Sequence, residues 1–221
     1  MVKSKLYKEI EKKNANKDQV AETVMEQPEL IPELMEGVAN EKLSLKFGCE
    51  KILRLISEQK PELLYPYFDE IAAFLDSENK IIKWGAIITI ANLTVTDNKN
   101  KFEKIFKKYY ASVSGPDMIM AANIFKSSEK ISTAKPKLTE KIAKEILKVE
   151  TASFERKGKL DPECSHVAYG HAIDALSILY GSIKGKKAVA RFVKKQVGSP
   201  RTSTAQKAEE FEKNSAFHKP E

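Results

Sequence analysis

Cysteine is nearly missing from these 221 residues, with only Cys49 and Cys164 present. They stand far apart and neither belongs to a CxxC pair, which argues against a disulfide framework and a paired-cysteine zinc site. The pattern fits a reducing, cytoplasmic compartment. Glycine and proline are also scarce, nine of each, and the apolar/polar alternation of a β-sandwich is absent. No apolar run approaches the roughly 20 residues that span a bilayer. Met1-Val2-Lys3-Ser4-Lys5 leads into charge rather than into a secretory core, so a soluble chain with no membrane partner is expected. No GxSxG, HExxH or GxxxxGKS/T motif occurs. Gly181-Ser182-Ile183-Lys184-Gly185-Lys186-Lys187 has the residues of a phosphate loop without its spacing or a preceding strand. No cofactor, metal or catalytic residue is therefore assigned.

What the chain does have is a repeating apolar signature. Ile82-Lys83-Trp84-Gly85-Ala86-Ile87-Ile88-Thr89-Ile90-Ala91-Asn92-Leu93 is apolar on nearly every side at helical length, which places it among other helices. Its opening recurs as Leu45-Lys46-Phe47-Gly48 and as Val167-Ala168-Tyr169-Gly170. Gly48 and Gly85 are 37 residues apart, as are Gly85 and Ala122, and 48 separate Ala122 from Gly170. The longer interval leaves room for an insertion at 153–163. Pro28-Glu29-Leu30-Ile31-Pro32 is echoed by Pro61-Glu62-Leu63-Leu64-Tyr65-Pro66, and proline suits a first helical turn. Periodicity then predicts helices at 17–27, 43–57, 62–75, 81–95, 99–113, 118–131, 137–151, 164–181 and 185–197. Asp18 is the expected cap of the first. Helix pairs at a period near 40 are the signature of an α-solenoid. The repeat glycine lets a neighbouring helix approach closely, and Trp84 is expected to fill a seam between units.

The period, the buried apolar positions and Ala91-Asn92-Leu93 resemble the HEAT and armadillo repeat families over residues 17–197. The resemblance implies an all-α fold, a right-handed α-α superhelix of about five helix pairs whose second helices line a concave surface. Residues 1–16 read as an N-terminal arm or short helix. Residues 198–221 are polar and read as a flexible or partly helical C-terminal tail. There Thr202, Ser203 and Thr204 stand beside Arg201.

Charge is unevenly spread. Residues 1–79 hold 11 Lys/Arg against 16 Asp/Glu, and residues 80–221 hold 27 against 15. The second helices of the later units carry cations at helical spacing: Lys101, Lys104 and Lys108; Lys137, Lys141, Lys144 and Lys148; Lys187, Arg191 and Lys194. Each row lies opposite an apolar set such as Phe102/Ile105/Phe106/Tyr109 or Leu138/Ile142/Ile146/Val149. These are the candidate binding residues. Two readings compete: ordinary solvated helix faces, or a basic surface for a macromolecule. For the second, the expected partner of a non-enzymatic scaffold is a protein or acidic peptide segment. Nucleic acid is the alternative, since Lys and Arg on phosphates give sequence-independent affinity. Some HEAT-like proteins of this length are DNA glycosylases, although no catalytic Asp maps onto this chain. A third possibility sets the acidic front of one copy against the basic back of another.

Cys164, His166, His171 and Asp174 form the densest chemical stretch. The histidines are five apart rather than i, i+4, and Cys164 and His166 point apart on a helix. A capped structural helix, with Asp161 or Ser165 as cap and Pro162 in the first turn, is the simpler expectation.

Overall fold

The computed structural model describes residues 4–216, and the fold is all-α. Five helix pairs follow one another: α2 (Lys17–Glu26) with α3 (Ile31–Val38), α4 (Leu43–Gln59) with the broken helix α5 (Pro61–Leu64) and α6 (Phe68–Ala73), and α7 (Lys80–Leu93) with α8 (Lys101–Tyr110). Next come α9 (Met118–Ala134) with α10 (Thr139–Ile146), then α11 (Pro162–Leu179) with α12 (Lys186–Gln196). A short helix α1 (Lys5–Glu11) precedes them and α13 (Thr202–Ala216) follows them. By its contacts the chain divides into two compact units, Met1–Ile105 and Phe106–Glu221.

Local chemistry explains where the helices start. The side chains of Asn16, Asn79 and Asp117 accept the first free N–H groups of α2, α7 and α9, and Asp161 does so for α11. Each satisfies donors that the helix itself cannot. Asn16 therefore takes the capping role expected of Asp18, which instead sits in the first turn, where a carboxylate favours the helix dipole. Pro28, Pro61 and Pro136 each open a second helix, the first and last through a 3-10 turn.

In the first unit α1, α2 and α3 all pack on α4, which packs on α7. Leu34, Ile52, Ile56, Phe68, Ile90 and Leu93 are among its fully buried side chains. The repeat glycine has a specific task here. A Cβ on Gly85 would stand 1.9 Å from Glu50 Oε1, so the missing side chain is the notch that receives the carboxylate of Glu50 from α4. Trp84 beside it is only half-buried, with the Arg54 guanidinium 5.0 Å above its ring. It is a lid over an ion pair more than a core filler.

In the second unit α11 packs on α9 and on α13. The insertion forms a two-stranded hairpin, β1 (Glu155–Arg156) with β2 (Lys159–Leu160), and Phe154 just before it is buried. The tail expected to be flexible or partly helical is helical over most of its described length. Residues 202–216 are a helix, and Thr204, Ala208 and Phe211 bury one face of it. The Thr204 hydroxyl donates to the His166 carbonyl at 2.8 Å, in the space that Gly170 leaves by having no Cβ. Arg201 pairs with Glu163 and Lys207 with Asp174. These polar ties compensate for the shortage of apolar residues. Residues 217–221 of the expected tail lie outside the described ones.

Candidate functional site

Lys101 belongs to the first unit and is engaged by its neighbours there. Its Nζ lies 2.7 Å from Asp69 and over the rings of Tyr65 and Phe68, with the side chain 19% exposed. Its backbone N–H donates to Asp97, as does that of Phe102, while the Tyr65 hydroxyl donates to Asp97 at 2.6 Å. Lys101 is thus part of the clamp that starts α8. Lys104, also of the first unit, is exposed on the same helix.

In the second unit the remaining expected cations lie on exposed helix faces. The segment around α10 runs from a 3-10 turn at Pro136–Leu138 through the helix to a 3-10 extension at Leu147–Thr151. Ile142, Ala143, Ile146 and Val149 are buried, and Lys137, Lys141, Lys144 and Lys148 are exposed on the opposite side. On α12, Val189, Phe192, Val193 and Gln196 are buried while Lys187, Arg191 and Lys194 are exposed. The α11 helix packs against both.

Two cross-ties fix the relation of these helices. Glu140 accepts the backbone N–H groups of Lys184, at 2.7 Å, and of Gly185, and Glu150 pairs with Lys195. Glu140 to Gly185 and Glu150 to Lys195 are the same offset in sequence, so α10 and α12 run parallel and in register. Each helix buries one face, so its cations stand on the opposite, exposed side. Lys141 Nζ also stands 4.1 Å from the Phe106 ring centroid, which brings the C-terminal half of α8, with exposed Lys107 and Lys108, against α10.

Carboxylates on this face are already engaged. Glu140 and Glu150 are the cross-ties, and Glu145 is bonded to Lys148 at 2.5 Å. From Phe106 onward the chain carries 22 Lys/Arg against 13 Asp/Glu. Aromatic groups are withheld, since Phe106, Tyr109, Tyr110 and Phe192 are all buried. Sequence periodicity located the lysines but not Glu140 and Glu150, whose only signal was their shared spacing from Gly185 and Lys195.

The Cys/His stretch does not converge. Cys164 is buried with the Arg156 guanidinium 3.9 Å from its sulfur. His166 Nδ1 lies 3.3 Å from the Ser199 hydroxyl, and Asp174 is held by Lys207. Among the described residues no three metal-ligating side chains cluster. Among them too, no helix is long and apolar enough to cross a membrane.

No family model matches the chain, and no curated protein matches it in sequence. Among solved structures, a chain of the Pds5-Scc1 complex, a structure described for its implications for cohesin function, aligns with a TM-score of 0.62 at 14% identity. The alignment covers 90% of this chain but 32% of that one, so the chain spans about a third of its length. An engineered protein aligns at a TM-score of 0.49 and 11% identity, over 97% of this chain and 98% of that one. At such identity the Pds5-Scc1 likeness speaks for the fold alone. Successive helix pairs, repeat glycines that seat neighbouring side chains and this likeness together give the chain the helical-repeat fold of HEAT/armadillo type.

Proposed function

We propose that the chain is a non-catalytic scaffold that binds an acidic protein segment along the outer face of α10 and α12, through Lys137, Lys141, Lys144, Lys148, Lys187, Arg191 and Lys194. One observation carries the reading. Glu140 and Glu150 tie two second-helix segments together in parallel, both carry exposed cations, and the nearby carboxylates are already engaged. Solvated helix faces need no such registration, and like charges placed side by side repel unless a counter-charge arrives. The likeness to a chain of a protein complex is in keeping with a binding role.

A nucleic-acid backbone would meet the same charge. Two features weigh against it: the aromatics that could stack on bases are buried, and lysine outnumbers the bidentate arginine on this face. The test is binding of a Glu-rich peptide, and of single- and double-stranded DNA, across a salt series. The wild type is compared with Lys141→Glu/Lys144→Glu/Arg191→Glu. Expected is saturable peptide binding that the variant loses by tenfold or more, with weaker DNA binding. DNA bound tighter than the peptide, with a log–log salt slope of several units, would replace the protein partner with nucleic acid. Peptide binding unchanged in the variant would return the rows to solvated faces.

A further inference from the structure

The first unit carries the counterpart of this face. From Asp18 to Glu41 there is no Lys or Arg, and none from Pro61 to Asn79. On α2, Ala21, Val24 and Met25 are buried, while Asp18, Glu22 and Glu26 stand exposed at i, i+4 and i+8. Among the described residues no cation pairs with any of these three carboxylates. Every ion pair in which α2 might spend them is absent among the described residues, in contrast to Asp69, which Lys101 neutralises. The α2 stripe is about 12 Å long at ~1.5 Å per residue, and Lys137 to Lys144 covers about 10 Å. Two helical stripes of opposite sign therefore match in pitch and length, each on an exposed helix face.

We infer that the occupant of the α10/α12 face is a second copy of this chain, whose α2 lays Asp18, Glu22 and Glu26 along Lys137, Lys141 and Lys144. This inference rests on the binding role proposed above for the Lys face. The two patches differ, so the contact is heterologous and each copy offers one patch of each kind. The net charge of +7 does not forbid it. At physiological ionic strength charges beyond about 8 Å are screened, and the local faces decide. Exposed pairs contribute little singly, so the association is weak, salt-sensitive and concentration-dependent.

The experiment is sedimentation velocity of the full chain from low to high concentration, at low and at high salt. It uses the wild type, an acidic-stripe variant (Glu22→Lys/Glu26→Lys) and a basic-row variant (Lys137→Glu/Lys144→Glu), each checked for folding by circular dichroism. Expected is a wild-type mass that rises with concentration at low salt and falls back to monomer at high salt. Each variant alone stays monomeric, because it has lost one of the two complementary patches. An equimolar mixture of the two variants regains association. A wild type that stays monomeric throughout overturns the inference, as does an acidic-stripe variant that associates like the wild type. Glu-rich peptide binding is measured on the same samples. A monomeric wild type that still binds the peptide fails the self-docking alone, whereas one that does neither fails the binding role as well.

Discussion

Replacing Gly85 with alanine tests the central packing device of the first unit. An alanine Cβ would lie 1.9 Å from Glu50 Oε1, 2.5 Å from Cδ and 2.7 Å from Cγ. Three consecutive atoms are hit, so turning the carboxylate is not enough and the whole Glu50 side chain must leave. Glu50 is 6% exposed and its Oε1 lies 3.3 Å from Arg54 Nε, which in turn caps Trp84. Overpacking costs about 1–3 kcal/mol. Separating a mostly buried charge pair adds up to about 3 kcal/mol, while alanine recovers about 1 kcal/mol of helix propensity. The net expectation is a loss of about 2–4 kcal/mol. Trp84 is the only tryptophan, so its fluorescence follows the first unit during urea unfolding. The decisive arm is the double variant. With Glu50→Ala the notch is empty, and Gly85→Ala should then be neutral or stabilise by up to about 1 kcal/mol, giving a coupling of at least about 2 kcal/mol. A Gly85→Ala protein as stable as wild type, or additivity of the two changes, would refute the notch.

Two further outcomes follow from the same structure. Burial pushes the Glu50 carboxyl above its ordinary value, partly offset by Arg54. A carboxyl that holds its proton more tightly when folded makes stability fall as pH rises, from the unfolded value near ~4.3 up through the raised folded value. Urea midpoints of Glu50→Gln should therefore gain on wild type as pH is raised across that window, and a constant difference would show that burial does not govern Glu50. In the second unit Phe211 is 5% exposed, and its ring meets Tyr180 edge-on at 4.9 Å. Phe211→Ala should cost about 3 kcal/mol and strip amide-exchange protection from residues 202–216. Absence of protection there in the wild type would show that α13 does not pack.

Much of the architecture could be read from local pattern. Proline at the openings of the second helices, apolar residues at helical spacing and the recurring aromatic–glycine pair located the paired helices nearly as observed. Each depends on interactions within a few residues, where periodicity and backbone chemistry are informative. The same holds for the cationic rows, since which side of a helix a lysine occupies follows from its register with Ile142, Ile146 or Val189. The α13 helix was legible in principle. Thr204, Ala208 and Phe211 stand at i, i+4 and i+7, but mean polarity outweighs three positions when a segment is judged by composition.

Tertiary structure decided which charges remain available and which helices are held together. Lys101 and Lys104 look alike in sequence, yet Asp69, 32 residues away, captures only the first. Glu140 and Glu150 look like ordinary surface acids until Gly185 and Lys195 arrive from 45 residues downstream to register α10 with α12. The Gly85 notch has meaning only when Glu50 fills it, and α13 is held as much by His166, Glu163 and Asp174 as by its own apolar face. Ion pairing and burial at a given residue depend on what the fold brings within a few ångströms of it, and no local period encodes that neighbour.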